Sequence, residues 1–102
     1  MTESNQRATQ RVPFAEEVRF RAPQPYVAQG VDIGAGGVGV ILPELLAIDT
    51  QVEIEIFDGA ATAYGTVRWT AKDGDAYRIG IQFREEDWAI MELVESLRSQ
   101  EG

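Results

Sequence analysis

Cysteine and histidine are both absent from the 102 residues. Without cysteine there are no disulfides and no thiolate chemistry; without either residue the commonest zinc ligands and the commonest general base are gone. Serine is scarce as well, at Ser4, Ser96 and Ser99. The first falls in a polar leader and the others near the end of an expected terminal helix, so none has a base in view to activate it. Long apolar runs are missing too. None approaches the ~18 residues of a membrane span, and the opening MTESNQRATQ lacks the apolar centre of a signal peptide. Carboxylates are plentiful, but they fall mostly on alternating strand positions or in turns, as on a solvated acidic face. The expectation is a cytoplasmic protein with no membrane insertion, no catalytic residues, no bound metal and no cofactor.

What is present suffices for one packed domain. Hydrophobic residues make up 44% and charged residues 25%, ordinary globular usage. The net charge is −8, so the molecule as a whole repels polyanions and no DNA or RNA partner is expected. Its distribution is uneven. Through Ala22 there are four arginines (Arg7, Arg11, Arg19, Arg21) against three glutamates, whereas the rest carries five cations against fourteen acids. Screening limits charge effects to about 8 Å at physiological salt, so a local arginine cluster can hold a small anion on an acidic protein.

Residues 1–10 are polar and aperiodic, which predicts a mobile leader that a ligand would order. From Ala15, AEEVRFR alternates with Val18 and Phe20 on one face and Glu17, Arg19 and Arg21 on the other, a half-buried strand. Pro23 and Pro25 stop it. YVAQGVDI, the glycine-dense GAGG and VGVIL read as strand, turn and strand, ended by Pro43. ELLAIDT is a connection with room for one helical turn. QVEIEIF, ATAYGTVRWT and AYRIGIQF then alternate regularly, with Val52, Ile54, Ile56, Val67, Trp69, Ile79, Ile81 and Phe83 placed inward. Asp-Gly pairs in FDGA and KDGD join these three strands into an antiparallel meander. A terminal amphipathic helix over residues 86–98 follows, with Trp88, Met91 and Val94 at three-to-four spacing and acids in its first turn. Six short strands and one helix predict an all-β fold: a closed antiparallel barrel covered by a C-terminal helix.

GAGGVG, Gly34 to Gly39, matches the dinucleotide fingerprint G-x-G-x-x-G in letters only. That fingerprint needs a helix to begin at the glycines, and here Val38, Val40, Ile41 and Leu42 continue as a strand. What the segment offers is a turn whose bare backbone can approach a ligand. Asp32 precedes it, and a carboxylate there can accept from the ring N–H and amino group of a guanine; alone, such an Asp is more often a turn residue. RATQR, Arg7 to Arg11, supplies two planar guanidinium forks suited to phosphate oxygens or the guanine O6 and N7 edge.

RATQR followed by Val12-Pro13, then DIGAGG, then alternating strands ending in GTVRW and RIGIQF, then an amphipathic helix, resembles the PilZ domain family from Arg7 to Leu97. The family's marks are R-x-x-x-R and [D/N]-x-S-x-x-G. Arg7 and Arg11 fit the first; Asp32 and Gly37 fit the second, with Gly34 standing where serine is usual. The resemblance implies a six-stranded antiparallel PilZ-type barrel over residues 13–102, an arginine-containing leader over residues 1–12, and a site for cyclic di-GMP formed by Arg7, Arg11, Asp32, Gly34 and Gly37. It implies a receptor or adaptor that relays this second messenger to a protein partner, or else an adaptor that binds protein alone. Gln6, where some relatives carry a further arginine, makes one ligand per chain the expectation.

Overall fold

The computed structural model describes residues 11–22, 24–57 and 59–101. The expected leader, Arg7 included, lies outside the described residues up to Gln10. The described residues form seven strands and one helix in chain order: β1 Val12–Pro13, β2 Glu17–Arg21, β3 Pro25–Gly34, β4 Gly37–Leu42, β5 Gln51–Ile56, β6 Ala61–Asp73, β7 Ala76–Phe83 and α1 Trp88–Glu101. All pairings are antiparallel, in the order β3-β2-β5-β6-β7-β4, and β4 returns to β3 to close a six-stranded barrel. The seventh strand, β1, is a two-residue addition that the sequence pattern did not announce. It pairs Val12 with Ile33 and Pro13 with Asp32, on the same edge of β3 that β2 occupies from Pro25 to Gln29.

The alternation in the sequence becomes the inside and outside of this barrel. Val18 and Phe20 of β2, Val52, Ile54 and Ile56 of β5, and Ile79, Ile81 and Phe83 of β7 are buried, with Ile33, Val38, Val40, Leu42 and Val67 among them. Each fully buried aliphatic side chain contributes ~1.5–3 kcal/mol relative to exposure. Ile90 and Val94, four residues apart on α1, belong to the same cluster, so the helix lays one stripe on the barrel.

Four local expectations change. The helix begins at Trp88 with no acid in its first turn; Glu85, Glu86 and Asp87 precede it, and Asp87 caps it by accepting the Ile90 N–H at 3.0 Å. Its buried stripe runs through Ile90 and Val94, while Trp88 is partly exposed. The β4–β5 connection has no helical turn; it closes a tight turn in which the Thr50 N–H and hydroxyl both donate to the Ala47 carbonyl. At the β6–β7 hairpin Asp73 pairs with Ala76, leaving Gly74 and Asp75 as the turn. Gly74 has φ 64°, which suits a turn with glycine first rather than a central Asp-Gly.

The fourth concerns Trp69. The inward position expected from strict alternation is wrong, because β6 carries a register shift between Val67 and Trp69. Arg68 is the extra residue of this β-bulge, and both Arg68 and Trp69 consequently face outward.

Candidate ligand site

Arg11 reaches the barrel because β1 is locked to β3. Pro13 lies opposite Asp32 on one side of β3, and Gly39 of β4 lies opposite it on the other. A register shift between Gly30 and Asp32 bends β3 just before this point. The Asp32 carboxylate lies across β4, and it does so because position 39 has no side chain. A Cβ on Gly39 would come within 2.7 Å of Asp32 Oδ1 and 3.7 Å of Arg11 Nη2. The Arg11 guanidinium donates from Nη2 to Asp32 Oδ1 at 2.9 Å, with 35% and 36% of the two side chains exposed. A pair this exposed contributes little stability, ~0–1 kcal/mol. Its effect is to orient a planar fork whose other donors remain available to a ligand.

Gly34 and Gly37 are the last paired residues of the β3–β4 hairpin, opposite one another across the two-residue turn Ala35-Gly36. The turn's carbonyls are already engaged: Ala35 O accepts from Asp87 N and Gly36 O from Phe83 N, each at 2.8 Å. This ties the hairpin to the entry of α1. Gly37 is glycine for a packing reason, since a Cβ there would run into the Ile81 carbonyl oxygen of β7. Positive φ among the described glycines belongs to Gly59 and Gly74, so a left-handed backbone does not explain Gly34.

Beyond Arg11 a cavity of about 540 Å³ opens over β6 and β7 beside the β3–β4 turn, within the ~300–1,000 Å³ usual for small-molecule sites. Its lining includes Arg11, Gly36, Arg68, Trp69 and Gln82, with Arg84 and Glu86 beside them. The lining gathers three arginines and one glutamate, with Asp32 and Asp49 paired to Arg11 and Arg68 from its edges. Arg68 Nε donates to Gln82 Oε1 at 2.6 Å. The guanidinium of Arg84 stands 5.5 Å from the centre of the Tyr64 ring. Trp69 lies opposite Gly80, and a Cβ at Gly80 would run into the indole. The ring therefore lies over a bare stretch of β7 with 46% of the residue exposed, as a base-stacking surface would require.

Of the five positions expected from the sequence, Arg11 lines the cavity, Asp32 holds Arg11, Gly34 and Gly37 shape the adjoining hairpin, and Arg7 lies outside the described residues. Arg68, Trp69, Arg84 and the positioning residue Gly39 were missed. An isolated glycine inside the strand RIGIQF signals a bulge or a close approach; Gly80 was the available clue to Trp69.

These features define a small closed β-barrel with an external cationic face, shaped by a glycine hairpin and an arginine clasp. The chain belongs to the PilZ domain family, whose family model matches residues 5–97. No curated protein matches it. Among solved structures, the Bacillus subtilis inhibitor of motility MotI (DgrA) superposes with TM-score 0.69 at 16% identity, covering 88% of this chain and 49% of that one. MrkH of K. pneumonia in complex with c-di-GMP superposes with TM-score 0.64 at 16% identity, covering 89% and 53%. MrkH in its apo state gives 0.58 at 14% identity, covering 89% and 49%. The chain thus spans about half the length of these proteins, and the likeness establishes the six-stranded barrel they share.

Proposed function

We propose that this domain is a non-enzymatic receptor for cyclic di-GMP that passes the signal to a protein partner. The observation that carries the reading is the clasp between Arg11 and Asp32 at the mouth of a cavity with a cationic lining and an indole on its floor. Two phosphates call for guanidinium forks, and two guanines call for edge partners and stacking surfaces. Arg11, Arg68 and Arg84 supply the first, Asp32 and Trp69 the second. Arg7, by its spacing from Arg11, is assigned a second fork in the same role. MrkH, which shares the barrel, forms a complex with c-di-GMP, and this supports the choice of ligand. A cytoplasmic location suits such a role, and among the described residues no helix is long and apolar enough to cross a membrane.

The test is titration calorimetry of the full chain with cyclic di-GMP. Affinity in the micromolar range, about −8 kcal/mol, is expected. Arg11→Ala is expected to weaken it by about 1–3 kcal/mol through loss of a charge-assisted fork, with circular dichroism unchanged. No heat at several hundred micromolar ligand overturns the proposal in favour of an adaptor that binds protein alone. Gly34, which lacks the hydroxyl usual in the family, is the observation on the side of that second reading.

A further inference from the structure

Arg68 is held from two sides. Toward the cavity its Nε donates to Gln82 at 2.6 Å; away from it, Nη1 lies 3.6 Å from Asp49 Oδ1. Two uncommon backbone features create this arrangement. Arg68 is the extra residue of the β6 bulge. Asp49, at the end of the β4–β5 connection, has φ 76°, a left-handed conformation uncommon outside glycine but tolerated by aspartate. Two backbone bonds hold it there. Asp49 N donates to Val67 O at 2.8 Å and Val67 N to Thr50 O at 2.9 Å, so Asp49 is fastened to the residue directly before Arg68. Carboxylate and guanidinium meet because the backbone brings them together.

The pair contributes little to stability, since 56% of the arginine side chain and 77% of the aspartate are exposed. Its consequence falls on the cavity. An anion entering beside Gln82 draws on the same guanidinium that Asp49 attracts. We propose that Asp49 is a built-in competitor for Arg68: it lowers the affinity of the site for phosphate-bearing ligands. The identity of the ligand rests on the cyclic di-GMP reading; the competition applies to any phosphate in the cavity.

The experiment titrates the full chain with cyclic di-GMP and, separately, with inorganic pyrophosphate, following the heat of binding. Asp49→Asn removes the charge and keeps a side chain that tolerates the left-handed backbone. It is expected to tighten binding by about two- to fivefold. In an Arg68→Ala background the same substitution is expected to change affinity by no more than about 1.5-fold. Glu86→Gln, which removes another negative charge from the lining, serves as the control for general electrostatics and is expected to act equally in both backgrounds. An Asp49 effect undiminished without Arg68, or no effect while cyclic di-GMP binds, overturns the competitor and leaves the receptor reading standing. Pyrophosphate binding with the Arg68-dependent pattern, and no heat from cyclic di-GMP, upholds the competitor and removes the nucleotide. Failure of both anions to bind, with the unsubstituted chain and with the Asp49→Asn variant alike, overturns both.

Discussion

Two outer faces of this barrel are built from the same alternating strands and differ in what alternation leaves outside. On the β2–β5 face every outward position carries a side chain and the charges are matched: Arg19 lies opposite Glu55 and Arg21 opposite Glu53. On the β4–β7–β6 face glycines interrupt the covering at Gly37, Gly39 and Gly80, and Arg11, Arg68 and Arg84 outnumber the acids of the cavity lining. The first face has its own depression, lined by Arg19, Arg21, Glu53 and Glu55, yet opposite charges there compensate one another. The candidate site therefore arises where side chains are removed from the sheet and guanidiniums gather beside bare backbone, and strand geometry alone does not produce it.

The comparison can be broken most severely at Gly37. Gly37→Ala drives a Cβ into the backbone of β7, which cannot rotate away, so destabilisation is expected at the upper end of the ~1–3 kcal/mol typical of overpacking; a thermal melt reads it directly. Next comes the indole. Trp69→Ala is expected to cost about 1–3 kcal/mol in cyclic di-GMP affinity, with a smaller change in melting temperature because the residue is half exposed. A smaller effect should sharpen the contrast from the other direction: Gly34→Ser returns a hydroxyl to the hairpin and is expected to tighten the ligand by about 0.5–1.5 kcal/mol. Unchanged affinity at unchanged stability would remove position 34 from the site. The smallest effect belongs to the matched face. Arg21→Gln is expected to shift stability by no more than about 1 kcal/mol and to leave calorimetric affinity unaltered, whereas an affinity loss like that of Arg11→Ala would mean the two faces do not differ as described.

The barrel was legible because burial writes itself into the sequence with period two. Val18 and Phe20, the β5 triplet Val52, Ile54 and Ile56, and Ile79, Ile81 and Phe83 of β7 all lie inside as their spacing requires. Trp69 was misread for a physical reason: an extra residue shifts the phase of the strand without changing its composition. β1 escaped notice because two residues cannot display a period. The acids before α1 were assigned to its first turn, although one of them, Asp87, is its cap; a helix boundary depends on which side chain bends back to the backbone, and spacing alone does not reveal that. The candidate site was legible in its motifs only at Arg11 and Asp32, which the structure joins as an ion pair. Its floor was not, since Gly80 and Trp69 belong together only through the register of β6 against β7.

The short strand β1 has a consequence for how the molecule behaves in company. Closure of six strands consumes most sheet edges, but beyond Gln29 the flank of β3 is not paired by β2, and β1 covers it at Asp32 and Ile33. An uncovered flank of this kind is a template on which a strand from another molecule can add. The Arg11–Asp32 clasp closes over the start of that cover. Between β1 and β2 the same flank is held by Phe14 N donating to Val31 O and Gly30 N donating to Glu16 O, so the segment before β2 closes this edge of β3 from Gly30 to Ile33 against the addition of a foreign strand.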